Sequence, residues 1–202
     1  LYTAYAQDMA LFNTRPKRVA VAAILLVALY GAVSLPNDWL TLLATSFVLC
    51  IGAIGLNIVT GFAGQVSLGH AFFIGIGAYT GAVLSNPPGG STLGYGIDLL
   101  PVWLFASGLV AALAGLIVAP LALRLRGLYL AIVTLGLVFL GEHIFKEWEA
   151  LTGGAGVGRP AAEPVIFGYA FDQDNELLTK DQNLYLLMLV LLLVFALLAR
   201  NL

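Results

Sequence analysis

Residues 55–81 read GLNIVTGFAGQVSLGHAFFIGIGAYTG, and the fold turns on them. The stretch sits between long apolar runs, yet it holds seven glycines together with Asn57, Gln65, Ser67 and His70. Glycine costs about 1 kcal/mol relative to alanine inside a helix. Backbone weakened in this way is tolerated at membrane depth where protein buries it or where it lines a wet cavity. The stretch is therefore expected to be the broken, pathway-lining part of a membrane transport protein.

The chain around it supports that setting. It has 202 residues, of which 60% are hydrophobic and 10% charged, and its mean hydropathy is +0.97. Soluble domains carry about 25% charged residues, so the fold class expected is an all-α polytopic membrane protein. The net charge of −2 lacks the basic stripe that nucleic acid requires. A single cysteine, Cys50, rules out an internal disulfide. It is expected to be a buried small hydrophobe.

Six spans are expected, each close to the ~20 residues that cross a hydrocarbon core. They run over 19–35, 40–59, 68–84, 99–123, 128–145 and 184–199. Residues 1–18 would form a cytoplasmic N-terminal segment ending in Arg15-Pro16-Lys17-Arg18, and 19–202 the transmembrane domain. Ala32-Val33-Ser34 imitates a signal-cleavage site, but fourteen residues precede the basic cluster, which favours a retained first helix. The polar stretch 147–183 is the one sizeable extramembrane loop. With a cytoplasmic N-terminus and six crossings, Arg15, Lys17, Arg18, Arg124, Arg126 and Arg200 fall inside, and Lys146, Arg159 and Lys180 outside. A simple dip at the glycine-rich stretch would reverse that bias, so a crossing with a break is expected.

Each polar or glycine motif has a plainer explanation. Gly61, Gly64, Gln65, Ser67, Gly69 and His70 could shape a pathway or tie helices together. Gly77 and Gly81 form a GxxxG pair, and Ala111 and Gly115 belong to a second small-residue stripe; both are expected to pack helices. Glu142 and Lys146 read as an i,i+4 ion pair rather than part of a proton relay. Thr152-Gly153-Gly154, followed by 155–158, lacks the Lys-Ser/Thr of a phosphate loop and reads as an outer loop or gate. No metal site, catalytic constellation or ATP-binding motif is expected.

Two segments carry a resemblance. Residues 55–79 resemble the hallmark segment of the permeases of branched-chain amino acid ABC importers, of the LivM/LivH kind. Residues 124–158, RLRGLYLAIVTLGLVFLGEHIFKEWEALTGGAGVG, are similar to a downstream segment of the LivM-type members. The resemblance implies a bacterial inner-membrane permease subunit without a cofactor of its own. It implies a second permease subunit, two cytoplasmic ATPase subunits that bind the ATP, and a periplasmic solute-binding protein delivering Leu, Ile, Val or a related solute. It also implies that Gly61, Gly64, Gln65, Ser67, Gly69 and His70 line or shape the pathway, with Thr134, Thr152, Gly153 and Gly154 assisting. Members of this family continue into a cytoplasmic coupling loop and further spans, so C-terminal truncation after Leu202 is expected. A secondary transporter or channel fragment, and a non-transporting structural subunit, are the alternatives left by the residues alone.

Overall fold

A computed structural model describes residues 15–87, 92–125, 127–154, 159, 163–175 and 178–202, with side chains from Val19 onward. Helix α1 (Arg15–Ser34) is followed by α2 (Asn37–Asn57), which continues as a π-helical turn over Ile58–Phe62. Then come α3 (His70–Ser85), α4 (Leu100–Arg124), α5 (Leu128–Glu147) and a single turn, α6 (Glu149–Thr152). A two-residue hairpin pairs β1 (Val165–Ile166) with β2 (Tyr169–Ala170), and α7 (Lys180–Arg200) follows. All six expected spans are helical. Four helices are long and apolar enough to cross a membrane, whereas 19–34 and α3 are shorter apolar helices. Large side chains such as Phe105 (76% exposed) and Ile117 (80%) lie uncovered on α4, as they would on a lipid-facing surface. The chain is an all-α polytopic membrane protein.

Local chemistry sets the helix ends. Pro36 is extended at ψ 154° and precedes α2, while Pro101 occupies the first turn of α4, where its missing N–H costs nothing. Before α7, Thr179 and Gln182 form a capping box: the Gln182 N–H donates to Thr179 Oγ1 at 3.4 Å, and the Thr179 N–H to Gln182 Oε1 at 3.0 Å. This box starts the helix four residues before the expected span.

The helices pack as two groups. In one, Ala32 of α1, Leu40 of α2 and Tyr185 and Leu189 of α7 form a buried cluster. The Tyr185 hydroxyl donates to the Ala28 carbonyl at 3.0 Å. In the other, α3 packs along α4 and crosses α5. Helices α2 and α3 barely touch, and an apolar groove of about 760 Å³ separates them.

Residues 35–36, 92–99, α6 and the β1–β2 hairpin gather at one end of the bundle, the loop end. There Thr41 Oγ1 donates to Asp181 Oδ1 at 3.1 Å, and the Leu93 N–H to the Ala150 carbonyl at 2.9 Å. The segment 63–69 and the α4–α5 turn lie at the opposite end, the break end.

One expectation needs correction. Cys50 is exposed on the outward face of α2 rather than buried, because α7 packs on α2 through other positions. Within the expected extramembrane loop stand α6 and the hairpin. Residues 1–14 and 155–158, which include part of the expected N-terminal segment and outer loop, lie outside the described residues.

Candidate functional site

The break begins where α2 widens into its π-turn at Ile58–Phe62. Gly64, at φ +62°, then takes the left-handed conformation that glycine adopts without a Cβ penalty. Seven residues, 63–69, climb back along α2 before α3 starts. His70 marks how far they climb: its Nε2 lies 2.9 Å from the Gly52 carbonyl. A carbonyl can only accept, so Nε2 carries the proton in this contact. Gly52 lies ten residues before Phe62, so α3 starts about 15 Å up the length of α2 at the helical rise of 1.5 Å per residue. A Cβ at Gly55 would approach the His70 ring to 3.4 Å, so the bare backbone gives the imidazole its place.

Helix α5 holds the other side. Leu68 donates its N–H to Thr134 Oγ1 at 3.0 Å, and that hydroxyl donates to the Ala131 carbonyl at 3.0 Å. The Gly69 N–H reaches Ser67 Oγ at 3.3 Å. A Cβ on Gly69 would stand 2.9 Å from the Thr134 carbonyl oxygen, so only glycine permits this approach. Backbone donors freed by the break are thus met by two side-chain hydroxyls.

These contacts enclose a cavity of about 220 Å³. Its polar lining is Gln65, Ser67, His70 and Thr134, closed by apolar groups such as Leu56, Phe73 and Leu130 and by Gly115 of α4. A second space of about 350 Å³ adjoins Gly64 and the α4–α5 turn, and Gln65 lines both. The first volume alone is below the ~300–1,000 Å³ usual for small-molecule sites, and the two together fall within it. Neither lining includes a carboxylate. The lining can offer neutral donors and acceptors to a zwitterion without a fixed charge to trap it.

Of the sequence-predicted residues, Gln65, Ser67, His70, Thr134 and Gly115 meet at this cavity. Gly64 borders the adjoining space, and Gly69 is buried against Thr134. Gly61 lies on the exposed π-turn and lines neither space. Gly77 and Gly81 pack on α4: a Cβ at Gly81 would meet Ser107 Oγ at 3.0 Å, and one at Gly77 the Ser107 carbonyl at 4.0 Å. Ala111 borders the groove. Thr152, Gly153 and Gly154 are at the loop end, away from the cavity. Thr152 is buried and donates to the Trp148 carbonyl at 3.0 Å, and Gly153 ends α6 at φ 85°. Glu142 and Lys146 form their exposed i,i+4 pair at 2.6 Å. No group of three metal-ligating side chains occurs among the described residues.

Two features escaped the sequence reading. Phe145 of α5 packs over Gly75 of α3, and Phe72 of α3 over Gly141 of α5, a reciprocal pairing that fixes the α3–α5 contact. Gly75 and Gly141 are visible in the sequence, but nothing local pairs them with aromatics some 70 residues away. Arg159, at the loop end, donates to three backbone carbonyls, those of Ala82, Leu93 and Leu151. Burial lowers its pKa from the ordinary arginine value, which lies so far above neutrality that the guanidinium stays charged.

Comparison with known proteins accords with this architecture. Residues 38–201 match the family model described as the permease component of branched-chain amino acid transport systems. The chain is 32% identical over 161 residues to the high-affinity branched-chain amino acid transport system permease protein LivM of Escherichia coli (strain K12), covering 80% of this chain and 36% of that protein. It is likewise 32% identical over 163 residues to the LivM of Salmonella typhimurium, covering 81% and 36%. The chain thus spans about a third of the length of these curated relatives. No solved structure matches it. With the family model matching most of its length, this chain belongs to the permease-component family of branched-chain amino acid transport systems.

Proposed function

We propose that this chain acts within the permease subunit of an ATP-driven importer, moving branched-chain or related amino acids across the bacterial inner membrane. A second permease subunit, two cytoplasmic ATPase subunits and a periplasmic solute-binding protein complete the machine. The reading rests chiefly on one observation: the helix break delivers Gln65, Ser67, His70 and Thr134 to a single cavity inside an apolar bundle. A structural subunit needs tight packing, and these four polar side chains around empty space go beyond that need. A secondary transporter needs a group that couples to an ion, and the cavity lining holds no carboxylate. Gly61, Gly64 and Gly69 shape the break, whereas Thr152, Gly153 and Gly154 act at the far end of the pathway.

Orientation follows from charge. Arg124 and Arg200 end their helices at the break end, where α1 also begins at Arg15, while Lys146, Arg159 and Lys180 stand at the loop end. Basic residues favour the cytoplasm, so the break end and the N-terminus are cytoplasmic and the loop end faces the periplasm. Helix α3, with 16 residues, is about 24 Å long, and segment 63–69 supplies the rest of its crossing. All six long helices then span the membrane.

The test uses the complete transporter in its membrane. Uptake of radiolabelled leucine and of other small amino acids is measured with intact ATPase subunits and with subunits whose phosphate-loop lysine is replaced. Uptake that disappears with the replacement supports the proposal. Uptake that persists, driven by an ion gradient, overturns it.

A further inference from the structure

Arg159 stands out at the loop end because, among the described residues, its charge meets no acid. Among the described residues its partners are all neutral carbonyls. Nε donates to the Ala82 carbonyl at 3.2 Å, Nη1 to that of Leu151 at 2.9 Å, and Nη2 to that of Leu93. Ala82 lies in the last turn of α3, and Leu151 in the last turn of α6. The carbonyls at a helix C-terminus carry partial negative charge; that of Leu151 is among the acceptors a helix end leaves free, while that of Ala82 also accepts the Asn86 N–H at 3.1 Å. One guanidinium therefore joins two helix ends and the 92–99 loop, which α3 also holds through the Tyr95 and Ile97 N–H groups on the Val83 and Leu84 carbonyls. A planar fork of five N–H donors can serve three acceptors at once, whereas a lysine ammonium cannot match that geometry.

The same helix, α3, reaches the cavity at its other end through the break. It is thus fixed twice: at the break end by Leu68 on Thr134 and His70 on Gly52, and at the loop end by Arg159. Parting α3 from α6 at the loop end would release the Ala82 and Leu151 carbonyls from Arg159.

We propose that Arg159 is a positioning residue for translocation, a latch that holds the loop-end mouth of the pathway closed by clamping α3, α6 and the 92–99 loop. The proposal rests on the transport reading above, and its test is read without transport. Ser85, 2% exposed, lies one turn beyond Ala82, and Ala32, also 2% exposed, lies in the separate α1–α2–α7 cluster. In the full transporter with Cys50→Ser, a cysteine is placed at either site and its reaction with a hydrophilic maleimide is timed. The membranes are opened to the reagent on both faces.

Arg159→Gln is expected to speed labelling of Ser85→Cys by about tenfold through local opening and to leave Ala32→Cys slow. Arg159→Lys, which keeps the charge and one bond, is expected to fall between. Equal acceleration at both cysteines would mean general loosening and would overturn the latch, as would parental rates at Ser85→Cys in both variants. If Arg159→Gln does not accumulate in the membrane, Arg159→Lys alone decides by the same two criteria. Faster labelling confined to Ser85→Cys, with uptake found independent of ATP, would keep the clamp and overturn the importer reading. Unchanged labelling with ATP-dependent uptake would do the reverse.

Discussion

Thr134 shows how much one hydroxyl can carry. It accepts the Leu68 N–H that the break would otherwise orphan, and it donates back into its own helix. Replacing it with valine keeps the shape and removes the acceptor. The expected cost is about 1 kcal/mol, since a part-buried backbone donor is left unpaired within a membrane protein. Thr134→Ser, which keeps the hydroxyl, is expected to lose less than half of that. Thermal unfolding of the detergent-solubilised transporter measures both, and equal stability of the valine variant and the parent would contradict the role given to the bond. Gly69 is the complementary case: a methyl group there must push on the Thr134 backbone at 2.9 Å. The polar residues of this site were legible in the sequence because a hydrocarbon setting makes Gln65, Ser67 and His70 conspicuous. Gly61 was equally conspicuous, yet it lies outside the cavity. Residue type marks the break without saying which side of the backbone faces the space.

At the scale of elements, the six long helices could be read from apolar runs and proline punctuation. Their contacts could not. The α3–α5 pairing depends on Phe145 over Gly75 and Phe72 over Gly141, partners too distant in sequence for any periodicity to reveal. The result is a contrast within one helix. A methyl group added at Gly136 of α5 would meet nothing within 4 Å, whereas one at Gly141 would meet the Phe72 ring. Gly136→Ala is therefore expected to be neutral or to stabilise by up to about 1 kcal/mol, the helix-propensity gain. Gly141→Ala is expected to destabilise by about 1–3 kcal/mol through overpacking, and Phe72→Leu in the same chain should recover part of the loss. Unfolding midpoints of these variants check the contrast, and a stabilising Gly141→Ala would show that the ring moves aside freely. The start of α7 was misplaced because the Thr179–Gln182 capping box lies in a polar stretch, and a hydropathy reading ends where apolar residues end.

At the scale of the molecule, two packed groups meet where His70 touches Gly52, beside the groove between α2 and α3, and again at the loop end, where the hairpin bridges Leu99 and Tyr169 donates to Asn183 of α7. This arrangement places α6 and the β1–β2 hairpin at the end opposite segment 63–69. The orientation itself is open to direct measurement in the full transporter with Cys50→Ser. Asn37→Cys is expected to react with a membrane-impermeant thiol reagent added to the periplasmic side. Asn201→Cys should react only after the membrane is breached. The opposite pattern would place the N-terminus outside and remove the basis for putting the break on the cytoplasmic side.

The most direct test concerns Gln65, which lines both the cavity and the space adjoining it. Gln65→Cys in a Cys50→Ser transporter is treated with a small charged methanethiosulfonate, and ATP-dependent leucine uptake is followed. A pathway at this position predicts that modification blocks uptake and that transported substrate slows the modification. Full modification with undiminished uptake would contradict it.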